Sequence, residues 1–198
     1  STCSEKLRPA CENARSAKVI HIMEFFADLI RHDKLNLDPS RNDHIRVTFH
    51  DSCNPARAMG LLDEPREILR ATCNNFWDMP ENTIKEQTFC CGSGSGLGND
   101  ENIEARMRGG FPRASAVKYV KEKHGVNMLS CICAIDKAVL SVLMEYWVPE
   151  VEVAGIHECS PGTPALMPQP RTSRHATHAA PTSTGKPFRP SGSPAATS

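Results

Sequence analysis

Apolar residues along the chain recur at two different periods. Ile45-Arg46-Val47-Thr48-Phe49-His50 alternates apolar with polar side chains and is rich in β-branched residues, which predicts a strand. Val126-Asn127-Met128-Leu129, residues 151–156 and Val19-Ile20-His21-Ile22 are short apolar runs that predict three more. Between the runs the period lengthens. Phe25, Phe26, Leu29 and Ile30 fall on one side of a helix over 23–31. Pro65 suits the first turn of a helix reaching about Thr72, and Gly125 ends another over 113–124. A helix over 133–147 supplies Ala134, Ala138, Leu140, Val142 and Leu143 as apolar surface, and the polar stretch 11–18 also reads as helical. Strands alternating with helices predict an α/β fold with a mainly parallel sheet. In such sheets functional groups gather at the strands' C-terminal ends, where Cys53 and Cys131 fall.

A faint internal repeat runs through this pattern. Cys3, a helical stretch and Val19-Ile20-His21-Ile22-Met23-Glu24 parallel Cys131, a helix and Ala154-Gly155-Ile156-His157-Glu158. Residues 1–42 then read as the end of a first, truncated copy and 43–158 as a complete second one. From Cys159 the character changes: eight of the 15 prolines lie there among Ser, Thr, Ala and Gly. Such a segment buries too little apolar surface to offset its ordering entropy, so 159–198 is expected to be a disordered tail.

Charge narrows the range of partners. The chain is formally neutral, but four of its 23 basic residues (Arg171, Arg174, Lys186, Arg189) lie in the acid-free tail. The body is left with 19 basic against 23 acidic side chains, which gives no footprint for nucleic acid. No apolar run approaches the ~20 residues that span a bilayer, so membrane attachment is expected only through a partner. Ser1-Thr2-Cys3-Ser4-Glu5 has neither the basic nor the apolar stretch of a secretory leader.

Nine cysteines are the strongest chemical signal. An odd count with one adjacent pair, in a body rich in core-forming residues, favours reduced, metal-binding thiols over a disulfide framework. The pattern is Cys53, 36 residues, Cys90-Cys91-Gly92, 38 residues, then Cys131-Ile132-Cys133. Adjacent cysteines are awkward for tetrahedral zinc, whose ligand pairs stand about two to four residues apart. They suit a multi-iron cluster, where neighbouring thiolates bind different irons. The glycine-rich stretch after Cys91 lets backbone N–H groups turn towards anionic sulfur, but its spacing does not fit a dinucleotide loop. Cys73 reads as a small core residue, and Cys11 and Cys159 have no partner at ligand spacing. His50, close to Cys53, is a candidate for orienting the site or relaying a proton. A hydrogen-bonded strand-end histidine is the simpler reading, and the same holds for His21 and His157.

The stretches VTFHDSCNPAR (47–57), NFWDMPENTIKEQTFCCGSGSGLG (75–98) and NMLSCICAIDKAVL (127–140) resemble the CCG domain of heterodisulfide reductase-type proteins. Within that family they are most similar to the K-subunit branch of the membrane-bound Dsr complexes of sulfite and sulfate metabolism. The resemblance implies a [4Fe-4S]-type, non-cubane cluster held by Cys53, Cys90, Cys91, Cys131 and Cys133, with Cys3 left over from a preceding cluster. It implies a disulfide- or trisulfide-bearing substrate, a cytochrome b-type membrane protein as partner, and a place on the cytoplasmic face of the membrane. One departure is visible: the family's closing Cys-x-x-Cys is here Cys131-Ile132-Cys133. Two other readings stand beside this one. The first is a CCG relay subunit serving lactate, glycolate, glycerol-3-phosphate or fumarate chemistry. The second is a non-catalytic module stabilised by metal or thiols.

Overall fold

The structure, a computed structural model, describes residues 19–159 together with Pro9. The expected helix over 11–18, Cys3, Cys11 and the tail from residue 160 lie outside the described residues. Three short strands, β1 (Val47–Phe49), β2 (Met128–Cys131) and β3 (Glu152–Gly155), pair in parallel in the order β1-β2-β3. Their register aligns Val47 with Met128, Leu129 with Val153, and Cys131 with Gly155. Phe76 adds a parallel bridge on the outer side of Val47. The α/β architecture expected from the sequence is therefore the one found.

Among residues 19–159 four α-helices cover the sheet: α1 (Ile22–Arg31), α2 (Glu64–Thr72), α3 (Ile103–His124) and α4 (Ala134–Trp147). Two apolar clusters fill the space beneath them. Val47 and Phe49 of β1 pack with Met23 of α1 and with Ile68 and Leu69 of α2. Leu129 and Cys131 of β2 and Val153 of β3 pack with Val117 of α3 and with Leu140 and Leu143 of α4. Both faces of the sheet are buried, as a parallel sheet requires. The strand entrances are clamped together by Asn127. Its side-chain oxygen accepts from the Arg46 N–H (2.8 Å) and its amide donates to the His44 carbonyl (3.1 Å).

Two local expectations are corrected. Val19-Ile20-His21-Ile22 is not a strand: His21 caps α1, its Nδ1 accepting from the Met23 N–H at 3.2 Å. The Glu24 carboxylate completes a capping box by accepting the His21 N–H, and this reciprocal cap outweighs a short β-branched run. The second correction is the length of α3, which starts at Ile103 and runs through Gly109, Gly110 and Pro112. Those residues argue against a helix locally, but Gly110 lies so close to α4 that a Cβ would stand 2.7 Å from the Leu143 methyl carbons. Close helix packing here overrides propensity.

Candidate metal centre

The C-terminal ends of β1 and β2 carry the thiols. After β1 the chain runs through His50, Asp51 and Ser52 to Cys53, which enters a π-helical turn, Asn54–Ala58. After β2 it runs through Cys131 and Ile132 to Cys133, the N-cap position of α4. The third loop carries Cys90-Cys91-Gly92 and is tied to the β1 end by a buried polar network. Asp51 forms a two-pronged ion pair with Arg66, each contact 2.8 Å, and both side chains are only 1% exposed. Burial by itself would lower the Arg66 pKa, but its hydrogen bonds and charge contacts with Asp51 and Asp78 raise it overall. The same Asp51 carboxylate accepts the Lys85 N–H at 2.8 Å. Thr88 donates its hydroxyl to the Asp51 carbonyl (2.7 Å) and accepts from Arg113 (2.7 Å), which also donates to the Thr83 carbonyl (2.7 Å). From the turn after Cys53, Arg57 donates to the carbonyls of Glu86 (2.8 Å) and Thr88 (2.7 Å).

Cys91-Gly92 seats against α3. Gly92 has φ +98°, a left-handed conformation, and a Cβ there would stand 2.5 Å from the Arg106 carbonyl oxygen. Its N–H donates to Cys90 Sγ at 3.3 Å, the kind of contact that stabilises a thiolate. Gly92→Ala is therefore expected to cost about 1–3 kcal/mol in urea denaturation and to displace the Cys90-Cys91 turn. Gly96→Ala, with φ +85° but nothing within 4 Å of its Cβ, should cost about 1 kcal/mol from the backbone alone.

Cys91 and Cys131 are buried, Cys133 is half-buried, and Cys53 and Cys90 are exposed. Burial, and after it the charge of Asp136, pushes the thiol pKa of Cys53 up, and that of Cys91 strongly up. Cys131 is pushed up to about 12 by burial, Asp136 and Cys133. One carboxylate thus acts on thiols from all three loops. Asp136 lies in the first turn of α4 and is buried, with Oδ2 lacking a hydrogen-bond partner among the described residues. His50 Nε2 is 3.7 Å from that oxygen, too far for a hydrogen bond. Burial, then the charge of Arg113, holds the His50 pKa well below the ordinary value, so the ring is neutral. Arg113 itself is lowered to about 10, chiefly by burial.

The simpler reading of His50, a hydrogen-bonded strand-end side chain, does not describe Nδ1, which has no partner among the described residues. His21 is structural, as its cap shows, and Cys73 packs in the apolar cluster beside Ile68 and Leu69. Asp136, Asp51, Arg66 and Arg113 escaped sequence reasoning. The available signal was an acid three residues after Cys133, which reads equally well as a charge suited to a helix N-terminus.

Residues 47–134 match the family of the CCG cysteine-rich domain. The chain carries a CCG cysteine-rich domain. Over 136 residues this CCG protein is 54% identical to the Hdr-like menaquinol oxidoreductase iron-sulfur subunit of Archaeoglobus profundus. It is equally similar to the second iron-sulfur subunit of the same type from Archaeoglobus fulgidus. Each alignment covers 69% of this chain and 24% of the relative, so the chain spans about a quarter of their length. One component of the dihydromethanophenazine:CoB–CoM heterodisulfide reductase of Methanosarcina mazei is 40% identical over 81 residues, 40% of this chain and 19% of the relative. No solved structure matches the chain.

The donor set of the CCG domain suits iron–sulfur chemistry: five thiols on three tied loops, with a backbone N–H aimed at one sulfur. The thiols do not stand as a closed cage. Among the described residues no three His, Cys, Asp or Glu side chains are in metal-binding geometry.

Proposed function

We propose that the CCG domain, residues 43–158, holds an iron–sulfur cluster on Cys53, Cys90, Cys91, Cys131 and Cys133. It would relay electrons as a subunit of a quinol-linked oxidoreductase of the heterodisulfide reductase type. The observation that carries this reading is the gathering of three cysteine-bearing loops at the C-terminal end of the sheet: β1 and β2 pair as neighbours, and the loop leading into Cys90-Cys91 is hydrogen-bonded to the β1 end through Thr88, Asp51 and Arg57. When bound, a non-cubane [4Fe-4S] group would supply single electrons to the sulfur–sulfur bond of a disulfide or trisulfide in sulfite or sulfate metabolism. Cys91 and Cys131 would lie on the buried side, away from water, whereas exposed Cys53 and Cys90 would face the approaching substrate or partner. Residues 1–42 would be the end of a preceding, truncated CCG repeat, with Cys3 a ligand there.

Among the described residues no helix is long and apolar enough to cross a membrane. Attachment to the inner face of the membrane would come through a cytochrome b-type partner, and catalysis would need that partner. A pure relay role is favoured by other relatives. They include the EtfAB:quinone oxidoreductase of Syntrophomonas wolfei (37% identical) and a component of the fumarate reductase (CoM/CoB) of Methanothermobacter marburgensis (38%).

Anaerobic reconstitution followed by iron and acid-labile sulfide analysis tests the proposal. About four irons per chain, an EPR signal after mild oxidation, and reoxidation of the reduced protein by an added disulfide are expected. Iron without disulfide-dependent reoxidation would leave the relay role, and zinc or no metal would overturn both.

A further inference from the structure

We propose that Arg113 is the built-in counter-charge of the thiol site, a buried cation that holds the anionic group bound there and raises its reduction potential. The inference rests on the cluster reading above and deepens it. Arg66 and Arg113 are the largest fully buried side chains among the described residues, 1% and 0% exposed. Their surroundings differ. Arg66 faces the carboxylates of Asp51 and Asp78 at 2.8 and 2.9 Å. Arg113 forms no ion pair among the described residues. It donates to the Thr83 carbonyl (2.7 Å), the Thr88 hydroxyl (2.7 Å), the Phe89 carbonyl (3.3 Å) and Met79 Sδ (2.9 Å), all uncharged. Its Nε is buried and has no partner among the described residues.

A charge taken out of water without a counter-ion is costly, and fully buried arginines are almost always paired. Burial lowers the Arg113 pKa only to about 10, so the guanidinium stays charged at neutral pH. The acids within its electrostatic reach do not pair with it. Asp51 turns both oxygens to Arg66, and Asp136 takes no hydrogen bond from Arg113. The Phe89 ring lies 5.8 Å from the guanidinium carbon and adds no counter-charge beyond its π face. The segment that Arg113 grips runs directly into the adjacent thiols, since Thr88 and Phe89 precede Cys90-Cys91. Five thiolates bring more negative charge than a [4Fe-4S] core brings positive, so the bound group is a net anion, and a cation is already buried at the loop that holds it. A strut between α3 and this loop would be the plain explanation of Arg113, but a strut needs donors and no charge. A buried cation favours the arrival of an electron on an anion nearby. It therefore shifts the equilibrium with a one-electron donor, such as a reduced viologen dye, towards the reduced protein.

The test uses the full chain reconstituted anaerobically with iron and sulfide, as wild type, Arg113→Lys and Arg113→Gln. Lysine keeps the charge, whereas glutamine keeps an amide donor for the Thr83 and Thr88 oxygens and loses the charge. At a fixed viologen potential the ratio of reduced to oxidised Gln protein, read by EPR, should be about tenfold lower than in wild type, equivalent to about 59 mV for one electron. The Lys protein should stay close to the wild-type ratio. Equal iron and an unchanged ratio in the Gln protein would overturn the proposal and leave the cluster reading standing. Loss of iron from the Gln protein alone supports the proposal. Loss of iron from a folded Lys protein overturns it, because the fork's hydrogen bonds would then matter rather than its charge.

A second measurement needs no metal. Without the anion the charge is a burden, so the metal-free Gln protein should have a urea midpoint at or above that of the Lys protein, and the order should reverse after loading. A metal-free Gln protein less stable than the Lys protein overturns the proposal, since the charge would then have its partner within the chain. Unfolding of both variants overturns it as well. Failure of the wild type to take up any iron overturns the cluster reading, and the proposal with it.

Discussion

Reconstituted Cys91→Ala protein is expected to lose most of its iron and its EPR signal, whereas Cys73→Ala keeps both. Either substitution removes a buried sulfur, so the pair separates chemistry from packing. Cys73 lies in the apolar cluster with Ile68 and Leu69, apart from the three loops, and its loss should cost about 1 kcal/mol of cavity energy. Cys91 is the buried member of the adjacent pair, held by the seat that Gly92 and Gly110 provide on α3. On the proposed ligand set, loss of one thiolate would leave an iron with an open position in a site that water can reach through exposed Cys53 and Cys90. Iron and sulfide per chain, measured with the EPR amplitude, decide the matter. Retention of about four irons in Cys91→Ala would remove Cys91 from the ligand set.

Arg66→Met is expected to lower stability by about 3–5 kcal/mol, a large share of the ~5–15 kcal/mol of an ordinary domain. The penalty comes from Asp51 rather than from Arg66. With both side chains 1% exposed, removing the guanidinium leaves a buried carboxylate with, among the described residues, only the Lys85 N–H as donor. Asp78, more exposed, can turn to solvent and contributes less. Adding Asp51→Asn should recover part of the loss, because a neutral amide costs less to bury than an unpaired charge. Urea denaturation of the two variants against wild type measures both effects. The same lesion should impair iron uptake, since Asp51 and Thr88 fix the loop that leads into Cys90-Cys91. A double variant no more stable than Arg66→Met would show that the guanidinium's own packing carries the cost.

Much of the molecule was legible without coordinates. All three strands fall within or beside the runs marked by alternation and β-branched residues, because strand preference is a local property. Gly125 ends α3 as expected, in the left-handed conformation at φ +69°. The cysteine spacing singled out five thiols; Cys53 and Cys131 do lie at the C-terminal ends of parallel strands, as expected for such sheets, whereas the Cys90-Cys91 loop follows no strand and is tied to the β1 end by hydrogen bonds. His21 and Glu24 show the limit of this reading. A β-branched run suggests a strand, but a cap formed by side chains three residues apart decides for a helix.

What the sequence by itself determined was the α/β class and the position of the main strands, both of which follow from periodicity and residue type. Tertiary structure alone decided which charges stand among those thiols. Arg66 reaches Asp51 across 15 residues, Arg113 reaches Thr88 across 25, and Asp136 stands by His50. The N-terminal half of α3 was settled in the same way, by close packing of Gly110 against Leu143. A charge buried beside a distant partner and a glycine kept for close approach leave no periodic trace, because their energies depend on neighbours that only folding brings together.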